Sequence, residues 1–194
     1  MEPDTTSTTR PELVLAAPPP LNLDLGCGKN KRQGFIGVDR IKFEGVDVVC
    51  DLGVERWPWG DGTVDEAHAS HFVEHLQFNP ERPERIHFVN ELYRVLKKGG
   101  KATIIVPHWC SPRQYGDYTH REPVSEFWFP YLNAEWRKAN APHDNAYTCD
   151  FDVTPPGYSL HAGLQFRSQD YQQHALMYFK AAADDMIATL VKNR

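Results

Sequence analysis

Hydrophobic positions in the first half of the chain fall into short runs of strand length, broken by glycines and charged residues, and the second half abandons that rhythm. Asn22–Leu25 is such a run, and the Gly26-Cys27-Gly28 that follows lets the backbone turn sharply and approach a ligand without Cβ interference. A second run, Phe35–Val38, ends on Asp39, and Val64–Ser70 reads as a further strand. From Pro83 onward, Ile86, Val89, Leu92 or Tyr93, and Leu96 recur at helical spacing, which predicts an amphipathic helix. Pro83 suits its first turn, and Lys97-Lys98 before Gly99 suits its end. Ala102–Val106 is a continuous apolar run, as expected of a parallel strand covered on both faces. The alternation of strands and helices predicts an α/β domain built on a doubly wound, mostly parallel sheet with right-handed crossovers.

After Pro107 aromatic residues arrive among prolines, histidines and charges, from Trp109 and Tyr115 through Trp128 to Tyr147. A substrate-facing region over 107–165 is expected here, with plain packing onto the sheet as the alternative for any single aromatic ring. Tyr147–Val153 and Tyr158–His161 are expected to pair around a Pro155-Pro156-Gly157 turn. Ser168 or Asp170 is expected to cap a helix reaching about Ala183, before a last strand at Met186–Lys192.

At 194 residues the chain has the length of one ordinary domain, read here as 21–194 behind a flexible tail at 1–20 that is rich in Thr, Ser and Pro. Leu13–Ala17 is too short for a secretory signal, and no run approaches the roughly 20 apolar residues that span a bilayer. The net charge of −5 supplies no basic face for long nucleic acids, leaving a small-molecule partner. The cysteines Cys27, Cys50, Cys110 and Cys149 are scattered without a CxxC pair, which fits reduced thiols in a cytoplasm better than a zinc ribbon or a disulfide scaffold. A homodimer is compatible with this composition.

A carboxylate at the tip of the second parallel strand can accept hydrogen bonds from both hydroxyls of a ribose. That makes Asp39 the first candidate binding residue. With Asp24 and the glycine turn before it, the segment resembles the class I S-adenosylmethionine-dependent methyltransferases, whose first motif runs D-x-G-x-G and whose second strand ends in an acid. The resemblance continues through VDVVCDL at Val46–Leu52, WPWGDGTVDEAHASHFVEHL at Trp57–Leu76 and ELYRVLKKGGKATIIVP at Glu91–Pro107. Beyond Pro107 the segments Asp117–Asn133 and Arg167–Arg194 resemble small methyltransferases of phages and bacteria. The resemblance implies a Rossmann-like single domain with S-adenosylmethionine as cofactor. Asp24, Gly26, Cys27 and Gly28 would then surround its methionine part, Asp39 its ribose and Asp51 with Leu52 its adenine, with His71 beside the methyl group. Two departures stand out. A third glycine is missing near Asn30 or Lys31, and the link to the second strand is so short that the first crossover helix must be short or distorted. Asp39 also follows too soon for a dinucleotide fingerprint, which disfavours a nicotinamide enzyme.

Methyl transfer from a sulfonium depends mainly on alignment, so at most a modest general base is required. His71 and His108, at the ends of the fourth and fifth strands, are candidates, and so are Asp117 and His120, close enough in sequence for an acid–imidazole pair. His71-Phe72-Val73-Glu74-His75 also matches H-x-x-E-H, the pattern of a zinc hydrolase. That reading needs a long helix where the pentapeptide abuts a strand, so no metal is expected. The chain lacks both the Asx-Pro-Pro-aromatic motif of amino-directed DNA methyltransferases and the Pro-Cys of cytosine C5 enzymes, and Cys110 reads as a packed thiol. The resulting expectation is methylation at oxygen or nitrogen of a nucleoside, sugar or other metabolite. A catalytically inactive cofactor-binding protein is the competing reading.

Overall fold

A computed structural model describes residues 19–193. Seven strands form one sheet: β1 (Asn22–Leu25), β2 (Ile36–Asp39), β3 (Val48–Val49), β4 (Val64–Ser70), β5 (Leu96–Pro107), β6 (Phe151–Leu160) and β7 (Ala183–Lys192). Their order is β3-β2-β1-β4-β5-β7-β6. β1 to β5 run parallel, and β7 runs antiparallel to both of its neighbours. The mostly parallel, Rossmann-like sheet expected from the sequence is present. The tail expected at 1–20 lies almost wholly outside the described residues.

Pleating separates two kinds of surface. Leu23, Val38, Ala67, Ile104 and Ala188 share one face, where they are buried with Phe88, Val89, Leu92 and Val95 of helix α1 (Glu84–Val95). The opposite face carries Asp24, His68, Thr103, Ile105 and Ile187, with Ile187 38% exposed. Phe35 packs edge-on over His68 at 6.5 Å, so the β1–β2 link covers part of that second face without a helix. The sequence expected a short or distorted helix in this link. Turns take its place, held by Asp24 Oδ2, which accepts from the Arg32 N–H at 2.7 Å, and by Asp47, whose carboxylate pairs with Lys31 at 3.0 Å.

Several boundaries differ from the expected ones. The α1 helix stops at Val95, and the Lys97–Gly100 segment joins β5, bulging where the register shifts between Val64 and Glu66. Residues 155–157 do not turn a hairpin: β6 is one edge strand, with the register shift between Thr154 and Gly157 absorbing the two prolines. An edge is where a residue without an N–H is tolerated in a sheet. Among the described residues three α-helices follow β5, α2 (Pro112–Gly116), α3 (Ala134–Asn140) and α4 (Gln169–Tyr178), together with 3-10 segments at Glu126–Leu132 and Leu164–Phe166. Ser168 caps α4 by accepting from the Tyr171 N–H at 3.3 Å, but this helix ends at Tyr178 rather than near Ala183, where β7 has already begun. The aromatic segment divides. Trp128, Phe129 and Tyr147 are buried, whereas Tyr115, Tyr118 and Phe127 are exposed.

Candidate functional site

Two cavities open at the carboxyl ends of β1, β2 and β4 and share Gly26 and His71 in their walls. The larger, about 410 Å³, is lined by Asp39, Ile41, Phe43, Asp51, Leu52 and Phe72 and, across from them, by His75, Thr119 and Arg121. The smaller, about 370 Å³, is lined by Asp24, Cys27, Gly28, Lys29, Asn30, Arg32, His68 and Ser70.

Gly26 makes the junction. Its φ is +71°, which disfavours any side chain, and a Cβ there would overlap the Phe72 ring. Its N–H and that of Cys27 both donate to Val38 O, at 2.8 and 3.1 Å, so the turn is tied to the second strand. Asp39 faces this turn: its Oδ2 accepts from the Gly28 N–H at 3.0 Å and its Oδ1 from the Ile41 N–H at 2.9 Å. Each oxygen of an ionised carboxylate can accept more than one hydrogen bond, so acceptor capacity remains for the cavity that Asp39 lines. Asp51 accepts from the Gly53 N–H at 3.1 Å, and Leu52 is buried with its carbonyl accepting from the Trp57 indole at 3.1 Å. Asp24, also buried, holds His68 Nδ1 at 3.0 Å and the Arg32 N–H. Burial, reinforced by the charges of Asp24 and Asp39, pushes the Cys27 thiol up to about 11, so it lines the mouth as a thiol.

His71 sits at the end of β4 with φ +52°, an unusual conformation for a side-chain-bearing residue, and its N–H donates to Ile105 O at 2.8 Å. Its Nδ1 lies 3.5 Å from Glu74 Oε1, and its Nε2 lies 3.9 Å from Asp185 Oδ1. The Glu74 carboxylate raises the His71 imidazole above its usual value, burial opposes this, and Asp185 adds to it. Val73–His75 forms only a single 3-10 turn, so the long helix that the H-x-x-E-H pattern presupposes is absent.

The remaining candidates separate. His108 is buried and committed at both nitrogens: Nδ1 accepts from the Cys110 N–H at 3.2 Å, leaving Nε2 to donate to Glu126 at 3.0 Å. His108 lines neither cavity. Asp117 and His120 do not form the expected acid–imidazole pair. Asp117 Oδ1 accepts from both the N–H and the hydroxyl of Thr119, at 2.8 and 2.7 Å. His120 instead places Nδ1 2.9 Å from Gln114 O and Nε2 4.0 Å from Glu74. Within 107–165, Thr119 and Arg121 are the residues that reach the larger cavity. Sequence reasoning missed Phe72, Lys29, Arg32 and His68. A sheet register alone puts His68 beside Asp24, and a glycine with no room for Cβ signals Phe72.

Residues 30–104 match the family model for a methyltransferase domain. None of the curated protein sequences matches the chain. Among solved structures, a SAM dependent methyltransferase from Archaeoglobus fulgidus superposes with a TM-score of 0.63 at 21% identity, covering 89% of this chain and 86% of its own. The 1,6-didemethyltoxoflavin-N1-methyltransferase of Burkholderia thailandensis gives 0.52 at 17% identity, covering 91% and 72%. The geranyl diphosphate C-methyltransferase of Streptomyces coelicolor gives 0.51 at 17%, covering 94% and 76%. Such likenesses carry the fold, and the matched residues begin just after the glycine turn and take in the Asp39 and Asp51 strand ends and the His71–His75 turn. The match to a methyltransferase domain thus lies inside a sheet that shares the fold of these methyltransferase structures.

Proposed function

We propose that this enzyme methylates an oxygen or nitrogen of a small or medium-sized metabolite, such as a nucleoside or sugar, held on the histidine side of the joined cavities. The observation that carries this reading is the meeting of two cavities at Gly26 and His71, one lined by strand-end carboxylates and the other reaching the glycine turn. S-adenosylmethionine, when bound, supplies a methyl group already activated by the positive charge on sulfur. Asp39 would accept from the ribose hydroxyls through its spare lone pairs, while Leu52 and Asp51 would line the adenine. Gly26, Cys27 and Gly28 would present backbone to the methionine portion, with Asp24 behind them and the positive charges of Lys29 and Arg32 at the rim.

Of the two residues that belong to both cavities, His71 is the one with a titratable side chain, and we assign it the contact with the acceptor. A neutral imidazole there can accept a proton from the attacking atom, and Glu74 stabilises the imidazolium that results. His120 supports Glu74 from the other side, and Asp117 orders the loop that carries His120. His108, tied to Glu126, is assigned a positioning role at the end of β5. The similar structures are an N1-methyltransferase of 1,6-didemethyltoxoflavin and a C-methyltransferase of geranyl diphosphate, two acceptors too unlike to choose one for this chain.

The test is incubation with labelled methyl donor and fractionated cell metabolites, alongside calorimetry with S-adenosylhomocysteine. Label in a small-molecule fraction, lost in His71→Ala with S-adenosylhomocysteine binding retained, is the expected result. Binding without label in any fraction would replace this reading with that of a cofactor-binding protein without catalysis.

A further inference from the structure

We infer that Glu74, His75 and His120 hold one divalent first-row transition-metal ion on the histidine side of the cavity. One ligand atom from each lies within 4.8 Å of the others. The sequence brings only Glu74 and His75 together; the loop after α2 delivers His120.

Glu74 is 0% exposed, and neither of its carboxylate oxygens has a hydrogen-bond partner among the described residues. A buried carboxylate in that condition is costly unless a cation or proton compensates it. The buried Arg85 feels the charge of Glu74 but makes no ion pair with it, because its guanidinium donates to the carbonyls of Leu76, Glu122 and Pro123. Its ion-pair neighbours among the described residues are imidazoles, His71 at 3.5 Å and His120 at 4.0 Å.

The two histidine ligands are also set in the tautomer that ligation needs. His120 Nδ1 lies 2.9 Å from Gln114 O, and a carbonyl can only accept, so the proton sits on Nδ1 and Nε2 offers a lone pair towards Glu74. His75 Nδ1 faces Thr119 O at 3.3 Å and Thr119 Oγ1 at 3.1 Å. That hydroxyl already donates to Asp117 at 2.7 Å, so it accepts from His75 and leaves Nε2 of that ring free. Metal-bound histidines are usually oriented in this way, by donating their second N–H to a carbonyl or another fixed acceptor. Asp117 thereby acquires a role through Thr119 rather than through His120.

Two imidazoles and one carboxylate suit manganese, iron, cobalt or zinc better than magnesium or calcium, which prefer all-oxygen shells. Three protein ligands leave coordination positions open, the pattern of catalytic rather than structural sites. His75 and Thr119 line the larger cavity, so those positions would face it and take oxygen atoms of the acceptor beside His71. This last clause rests on the methyltransferase reading; ion binding does not.

The chain, treated with chelator and exchanged into metal-free buffer, would be titrated with Mn2+ and with Zn2+ by calorimetry, and with Mn2+ by electron paramagnetic resonance. One ion per chain is expected. Glu74→Gln and His120→Ala should each weaken binding about 100-fold or more, and Asp117→Ala about 10-fold, as for a group acting behind a ligand. Far-UV circular dichroism and S-adenosylhomocysteine affinity report whether each variant is folded. No saturable binding of either ion to the folded wild type, or wild-type binding in folded Glu74→Gln, would overturn the site. Ion binding by a chain that does not bind S-adenosylhomocysteine would uphold the site and count against the cofactor reading instead.

Discussion

On one side of Gly26 the cavity wall is held by aspartates that clamp backbone N–H groups close to them in sequence: Asp24 on Arg32, Asp39 on Gly28 and Ile41, Asp51 on Gly53. On the other side of His71 the wall is held by imidazoles whose partners come from afar. His75 reaches Thr119, and Glu74 O accepts from the Arg121 N–H at 2.8 Å. The first arrangement is compatible with a small change of the neighbouring chain, because each clamp closes a short loop. The second depends on two distant segments arriving together, and ordering such a contact costs more loop entropy. Donor binding should therefore survive damage to the histidine side, while acceptor chemistry should be sensitive to damage on either side.

Gly26→Ala attacks the residue common to both sides and should have the largest effect. A Cβ at positive φ, overlapping Phe72, should cost about 3 kcal/mol from backbone strain and overpacking together. Urea denaturation measures it, and a stability within error of wild type would mean that the turn and Phe72 are not rigidly apposed. Asp39→Ala damages the aspartate side alone. It should weaken S-adenosylhomocysteine by about 1.5–3 kcal/mol, the worth of a hydrogen bond to a charged group, as read by calorimetry. Unchanged affinity would remove Asp39 from the ribose contact.

Glu126 tests the far end of the histidine side. Its hydrogen bond from His108 holds the carboxyl below the usual carboxylate range, with burial opposing and Tyr158 assisting. A group whose folded value is depressed contributes stability above its unfolded value, about 4.3 for Glu, and loses it as pH falls through the folded value. In Glu126→Gln that acid-side decline should shrink, by about 1 kcal/mol or less given partial exposure. Thermal melts from pH 7 down to pH 3 would show it, and parallel curves for wild type and variant would refute it. Asp117→Ala should be mildest. Amide exchange at Thr119 should quicken while S-adenosylhomocysteine affinity stays unchanged; a loss of that affinity would show that the two sides are coupled.

Particular elements explain why one side could be read from the chain and the other could not. Asn22–Leu25 and Val64–Ser70 are legible to the residue because each is a run of strand length closed by a marked break, the glycine turn after Leu25 and the His71 end of the fourth strand. Asp39 stood out because it follows a strand at a fixed distance from a glycine turn. The hairpin expected at residues 155–157 was wrong because proline and glycine signal a break in pairing, while an edge strand can absorb them as a bulge. The crossover helix after β1 was also misjudged. Side-chain carboxylates satisfy the backbone there, and no periodic pattern announces that.

The residues themselves determined the parallel core, the glycine turn and the order of the acidic strand ends, since each follows from local periodicity and backbone freedom within one or two adjacent elements. Only the tertiary structure decided that His108 would be locked by Glu126 and that His120 would stand over the buried Glu74. Those outcomes depend on which distant segments the sheet edge brings together, and spacing along the chain carries no information about loops whose ends are set by packing.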